Sequence, residues 1–212
     1  MNRSSGLSAA ILAGGQSRRM GEDKALLEVD GRPMIEYVIN AAKSVADETI
    51  IVATDRPEYE QFECRVVPDR LPQSGSLGGI YTALSEVKHD RCLVLACDMP
   101  FVNIKLLQHM IDRSSDYDVL IPSLDAERSD QGGAETLETL HAIYSKSCLP
   151  AIQRQLDAGV YKVVGFFTEV NVQKVSQEEV AEIDSQLLSF FNTNTPEEFE
   201  WAKQQLASGS AR

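Results

Sequence analysis

Short apolar runs alternate with stretches of helical spacing along this chain of 212 residues. The runs are Leu7 to Leu12, "ETIIVATD" (48–55), "CRVVPD" (64–69), "RCLVLACD" (91–98), "YDVLIPSL" (117–124) and "LHAIYS" (140–145). Each has the length and composition of a buried strand. Between the first two, Met34, Ile35, Val38, Ile39, Ala42 and Val45 recur at helical spacing, and Pro33 suits a first-turn position. Further helices are expected over "GGIYTALSEV" (78–87), "NIKLLQHMI" (103–111) and "KSCLPAIQRQLDAG" (146–159), the last entered or broken at Pro150. A terminal helix over 195–206 has Thr195 as N-cap, Pro196 at its first position and Glu198 completing a capping box.

Strands alternating with helices imply an α/β fold of Rossmann-like, three-layer type with a mostly parallel central sheet. The length favours one domain, taken as residues 1–206, with 207–212 as a disordered tail. The polar, acidic segment 125–139 reads as a mobile surface loop.

The connection after the first strand is unusual. "LAGGQSRRMGEDKALL" (12–27) places Gly14 and Gly15, then Arg18, Arg19 and Lys24, in one strand-to-helix loop. In a parallel sheet such loops lie outside the carboxyl ends of the strands, where ligands are held. Three cations crowded into one loop repel unless an anion is expected, and glycine backbone can approach phosphate or base closely. The loop is neither a P-loop, since no G-K-[ST] follows, nor a G-x-G-x-x-G fingerprint. A flavodoxin-like or NAD-binding protein is therefore disfavoured.

The net charge of −12 argues against a protein that grips nucleic acid along its backbone, but local sign decides what a pocket holds. No apolar run is long enough to span a membrane and no signal peptide is recognisable, so a cytoplasmic location is expected. The four cysteines, at 64, 92, 97 and 148, form no C-x-x-C pair and read as buried free thiols. His89 reads as surface and His109 as structural, while His141 sits among apolar neighbours that suit a satisfied core histidine.

"LAGGQSRRMGEDK" resembles L-A-G-G-x-x-x-R-M-G-x-x-K, the signature loop of nucleotidyltransferases that act on molybdopterin. Four more stretches match the molybdenum cofactor guanylyltransferase (MobA-like) family in order: "VPD" (67–69), "SGSLGGI" (74–80), "LACDMPFV" (95–102) and "FNTNTPEEF" (191–199). The resemblance runs from about residue 7 to residue 206. Ser76 and Thr139 stand where family members often carry proline, and Ala53 where some have asparagine near the nucleoside.

The resemblance implies a nucleotide-diphospho-sugar transferase-like fold and transfer of GMP from GTP to molybdopterin, with release of pyrophosphate. It implies GTP held by Leu12, Ala13, Gly14, Gly15, Lys24, Asp69 and Asp98, with Arg19, Lys24 and Asp98 catalytic. Asp98 ends an apolar strand beside the cationic loop, a place that suits Mg²⁺ or else a cap on the helix after Pro100. Asn194 is by resemblance the second candidate ligand, or else a cap or turn residue before Thr195, with Asn192 behind it. Gly78 and Gly79 either let the backbone approach a ligand or simply begin a helix. The nucleophile would be a phosphate already ionised at neutral pH, so no general base is needed. Transient contacts with proteins that deliver the cofactor or accept the product are expected. A cytidylyltransferase, an enzyme acting on another phosphorylated small molecule, and a non-catalytic nucleotide-binding protein remain alternatives.

Overall fold

A computed structural model of the chain describes residues 6–14, 23–113, 116–125 and 135–208. Its elements in chain order are β1 (Leu7–Leu12), β2 (Glu28–Val29), β3 (Arg32–Pro33), α1 (Met34–Val45), β4 (Glu48–Val52), β5 (Arg65–Val67), α2 (Gly75–Glu86), β6 (Arg91–Ala96) and α3 (Ile104–Asp112). There follow β7 (Val119–Asp125), β8 (Glu135–Leu137), β9 (His141–Ser145), α4 (Leu149–Asp157), β10 (Val172–Val175), α5 (Gln177–Ala181) and α6 (Pro196–Ser208).

The main sheet has the order β10-β7-β9-β6-β1-β4-β5, with β8 added to β7. β1 pairs in parallel with both β4 and β6, β4 with β5, and β10 with β7. Among the described strands of this sheet, only β9, between β6 and β7, and β8 run antiparallel. The mostly parallel sheet is as the strand–helix alternation implies.

Strand alternation sorts side chains into two cores, one per face. Ala9 and Ile11 of β1 and Leu93 and Leu95 of β6 face α1, α3 and α5, where Ile35, Val38, Leu106, Leu107, Met110 and Val180 pack. Ala10, Val94 and Ile50 face α2 and α4, against Leu77, Ile80, Leu84 and Ile152. The result is a three-layer α/β unit. The terminal α6 closes a third cluster through Ala202 and Leu206, against Val29, Met34 and Phe101. Among the described residues no helix is long and apolar enough to cross a membrane.

Several expectations need correction. Pro33 is not inside α1 but caps it from the end of β3, with φ −55° and ψ 136°. The stretch 125–139 is not all loop, because Glu135–Leu137 pairs with β7. The stretch taken as tail begins in helix, since α6 continues through Ser208. Cys64 and Cys97 are only partly buried, although all four cysteines are free. His89 is half-buried and lies 3.0 Å from the Ser8 hydroxyl. His141 is fully buried, but neither ring nitrogen has a partner among the described residues; its ring stands edge-on to Phe190. Burial pushes its imidazole down to about 4.

Candidate active site

The direction of the chain reverses at β1. From it the chain moves outward to β4 and β5, then returns through α2 to β6 on the opposite side. Ligand clefts of open α/β sheets form at this kind of switch point, beyond the carboxyl ends of the strands. A cleft of about 400 Å³ opens there. Its walls are Leu12 and Gly14 after β1, Val52 of β4, Asp69 beyond β5, and Ala96, Cys97 and Asp98 at the end of β6. The first turns of α2 and the residues before it supply Pro72, Gln73, Gly75, Ser76 and Gly79, and Leu140 closes the side towards β9.

Gly14 is loosely surrounded. Among the described residues, a Cβ built there would find nothing nearer than an Asp69 Oδ2 at 3.9 Å and the Val52 carbonyl at 4.0 Å. Its missing methyl therefore widens the cleft on the Asp69 side. Gly78 is glycine for another reason: a Cβ would lie 2.4 Å from the Leu71 carbonyl, so only glycine lets the 70–74 segment close down on α2. This close packing is a reason distinct from both ligand approach and the start of a helix, which begins earlier, at Gly75. Gly79 does line the cleft, and its absent side chain makes room for Leu12.

Asp69 is held firmly. Its Oδ1 accepts from the Leu71 amide (2.9 Å) and the Thr82 hydroxyl (3.0 Å), and its own amide donates to the Thr54 hydroxyl (3.1 Å). The Thr82 hydroxyl in turn accepts from the Arg70 amide at 3.0 Å. Oδ2 is the oxygen turned towards Gly14. Thr82 is fully buried and was not singled out in the sequence. The available signal was a hydroxyl on the apolar face of the "GGIYTALSEV" helix, one turn past Gly78.

Asp98 is positioned through its backbone. Its carbonyl accepts from the Thr193 amide (3.1 Å) and the Thr193 hydroxyl (3.3 Å), which ties the end of β6 to the "FNTNTPEEF" segment. Thr193 is fully buried and was also missed. Burial pushes the Asp98 carboxyl above the usual carboxylate range; the Lys24 ammonium opposes this, and Glu198 adds to it. Lys24 lies in a short 3₁₀ turn, Lys24–Leu26, and its Nζ reaches the Asn194 Oδ1 at 3.5 Å. Lys24 thus touches Asn194 and acts on Asp98 by charge although the three are far apart in sequence; of them, Asp98 lines the cleft and Lys24 and Asn194 do not.

Asn194 also sits before the capping box of α6, its amide donating to Glu198 Oε2 at 2.6 Å. The box forms as the sequence implies, through Glu198 N–H to Thr195 Oγ1 and Thr195 N–H to Glu198 Oε2. Asn192 spends its side-chain amide on the Phe190 carbonyl, as a turn residue does. Ala13, named as a nucleotide contact, is buried and does not line the cleft; its amide donates to the Val52 carbonyl at 3.0 Å. Gly15 and Arg19 lie outside the described residues. Among the described residues no three His, Cys, Asp or Glu side chains gather as a ready-made metal cage.

Comparison with known proteins adds to this geometry. The family model for the MobA-like NTP transferase domain matches residues 9–173. The chain is 41% identical over 186 residues to a protein of Pelotomaculum thermopropionicum named "Probable molybdenum cofactor guanylyltransferase", covering 88% of this chain and 86% of that one. The crystal structure of molybdopterin-guanine dinucleotide biosynthesis protein A from Archaeoglobus fulgidus superposes with a TM-score of 0.78 at 29% identity, covering 95% of this chain and 99% of that one. At 16% identity the 4-diphosphocytidyl-2C-methyl-D-erythritol synthase of Anaerococcus prevotii shares the fold, with a TM-score of 0.73 over 96% of this chain and 99% of that one.

Proposed function

The chain belongs to the family of MobA-like NTP transferases, and from that premise we propose that it transfers GMP from GTP to molybdopterin. The product is molybdopterin guanine dinucleotide, and pyrophosphate leaves. The observation that carries the reading is one cleft at the β1/β6 switch point, with Asp69 on one wall and Asp98, backed by Lys24 and Asn194, on the other.

The chemistry follows from what these groups can and cannot do. A terminal phosphate oxygen of molybdopterin forms a bond to the α-phosphorus of GTP while the bond to the β-phosphate oxygen breaks. That oxygen is ionised at neutral pH, so the site needs no base, and His141 is buried away in the core. Asp69 is fixed by Thr82 and the Leu71 amide and offers one free oxygen as a hydrogen-bond acceptor for the nucleoside. Gly14 leaves room for a purine beside it. Lys24 places a cation where negative charge gathers on the triphosphate. Holding both phosphates in line accounts for most of the remaining acceleration.

The donor set on the Asp98 wall fits Mg²⁺. It consists of hard oxygens, the Asp98 carboxylate and the Asn194 amide oxygen, which an ion would take over from Lys24. Mg²⁺ is held by one or two carboxylates with substrate phosphates completing the shell. Asp98 and Asn194 would hold the ion, which supplies charge neutralisation on the transferring phosphoryl group. A cytoplasmic location, where GTP is available, belongs to this reading, as do passing contacts with proteins that deliver the cofactor and accept the dinucleotide.

The test is a mixture of the purified chain, molybdopterin, Mg²⁺ and equimolar GTP and CTP. Pyrophosphate release with the guanine dinucleotide as the dominant product is expected. Equal or greater cytidylyl transfer would defeat the guanylyl assignment.

A further inference from the structure

Asp23 and Tyr59 do not line the cleft, yet they fix Lys24, whose Nζ reaches the Asn194 Oδ1. Asp23 is the N-cap of the Lys24–Leu26 turn, its Oδ1 accepting from the Ala25 amide at 3.1 Å. Its Oδ2 accepts from the Tyr59 hydroxyl at 2.8 Å and lies 3.6 Å from the Arg56 Nε. Both side chains of the Asp23–Arg56 pair are largely buried, at 12% and 20% exposure. The backbone repeats the restraint: Leu26 N–H donates to the Asp23 carbonyl and Leu27 N–H to that of Lys24.

Tyr59 is fully buried in the 3₁₀ segment Pro57–Phe62, between β4 and β5. A phenylalanine would fill the same space. The hydroxyl adds no packing, and a buried tyrosine hydroxyl must find a partner. Here that partner is a carboxylate 36 residues away, on the turn that carries Lys24. Asp23 is thus gripped from the β4–β5 connection on one oxygen and caps the turn with the other. Lys24 stands between Asp23 and the buried Ala25, so its Cα is fixed on both sides and only its stem can swing. A charge that must stabilise a transition state needs that kind of second support.

We propose that Asp23 and Tyr59 are positioning residues that hold Lys24 in reach of the Asp98–Asn194 wall. The inference rests on the transferase reading above for its kinetic consequence, but not for its geometry.

Tyr59→Phe in the full chain is the sharp variant, with Asp23→Ala as the second. Each is expected to lower kcat for pyrophosphate release about tenfold or more, since small misplacements of catalytic groups carry large rate penalties. The KM for GTP should stay within about twofold, because uniform binding is untouched. In a Lys24→Ala background Tyr59→Phe should cause no further loss. Independently of turnover, the ¹³C-methyl resonance of reductively methylated Lys24, assigned by its disappearance in Lys24→Arg, should shift in Tyr59→Phe. An unchanged kcat with only a lower Tm, an equal loss in both backgrounds, or an unmoved Lys24 resonance would overturn the proposal. A wild-type chain that releases no pyrophosphate would sink the functional reading alone, and the Lys24 resonance would still decide the positioning.

Discussion

The two acidic walls of the cleft are built in opposite ways. Asp69 spends one carboxylate oxygen on the scaffold, binding a backbone amide and the buried Thr82 hydroxyl, and keeps the other for the cleft. Asp98 is tied to the 191–199 segment through its backbone carbonyl, and burial raises its carboxyl against the Lys24 charge and a backbone hydrogen bond. A carboxylate used for recognition must point one way, so its geometry is fixed by hydrogen bonds. One that faces shifting charge is left electrostatically unsettled until a cation arrives. The difference separates a reading wall from a reacting wall within one cavity.

Removing the charge from the reacting wall should give the largest effect. Asp98→Asn is expected to reduce pyrophosphate release to background at saturating Mg²⁺, while its Tm equals or exceeds that of the wild type. The sign follows from the raised carboxyl. A group that binds its proton more tightly folded than unfolded contributes stability at low pH and loses it as pH rises through the folded value. At neutral pH the half-buried charge is therefore a cost that asparagine removes. A variant that melts early would return Asp98 to the scaffold.

Lys24→Ala should lower turnover by about 10²- to 10³-fold, the range for loss of one preorganised charge stabiliser. A change confined to the GTP KM would move Lys24 to the reading side of the comparison.

Gly14→Ala acts on the reading wall itself. Among the described residues the methyl meets only ordinary contacts, so folding should be unaffected. It enters the cleft beside Asp69, and the preference for GTP over CTP should fall by about tenfold, as one methyl group in a pocket does. A competition assay that finds the ratio unchanged would place the base elsewhere.

The smallest effect is expected from Thr82→Val, which removes the clamp on Asp69 and leaves the Arg70 amide without its partner. The GTP KM should rise about fivefold with kcat nearly constant, the equivalent of one hydrogen bond. A fall in kcat would contradict the division of labour.

How much of this could be read from the residues depended on sequence distance. Six strands of the sheet, Asp98 and the capping box announce themselves over ten residues or fewer, because period, strand ends and turn chemistry are local, whereas Asp69 is legible only through the family resemblance. The antiparallel direction of β9 does not, since alternation looks the same in both orientations. β10 and α5 are short, and β8 lies in a stretch whose polar composition reads as loop. The clamps were least legible. Thr82 reaches Asp69 across 13 residues, Tyr59 reaches Asp23 across 36 and Lys24 reaches Asn194 across 170, and no periodicity reports contacts of that range. The oxygens lent by Asn194 and Glu198 look in sequence like parts of a helix start, which they also are.

The place of β9 governs the order in which the molecule can be assembled on the ribosome. β9 is inserted between β6 and β7, although β7 is synthesised before it. Until Ser145 has emerged, the apolar strand RCLVLA of β6 has one unpaired edge, and β7 has no place in the growing sheet. An open apolar edge invites pairing with other chains. The N-terminal half, which already holds Asp69 and Asp98, is therefore the stretch of synthesis most exposed to misassociation. A truncation ending at Asp125 carries Asp69 and Asp98 but lacks both the Thr193–Asn194 segment that backs Asp98 and the strand that joins β6 to β7.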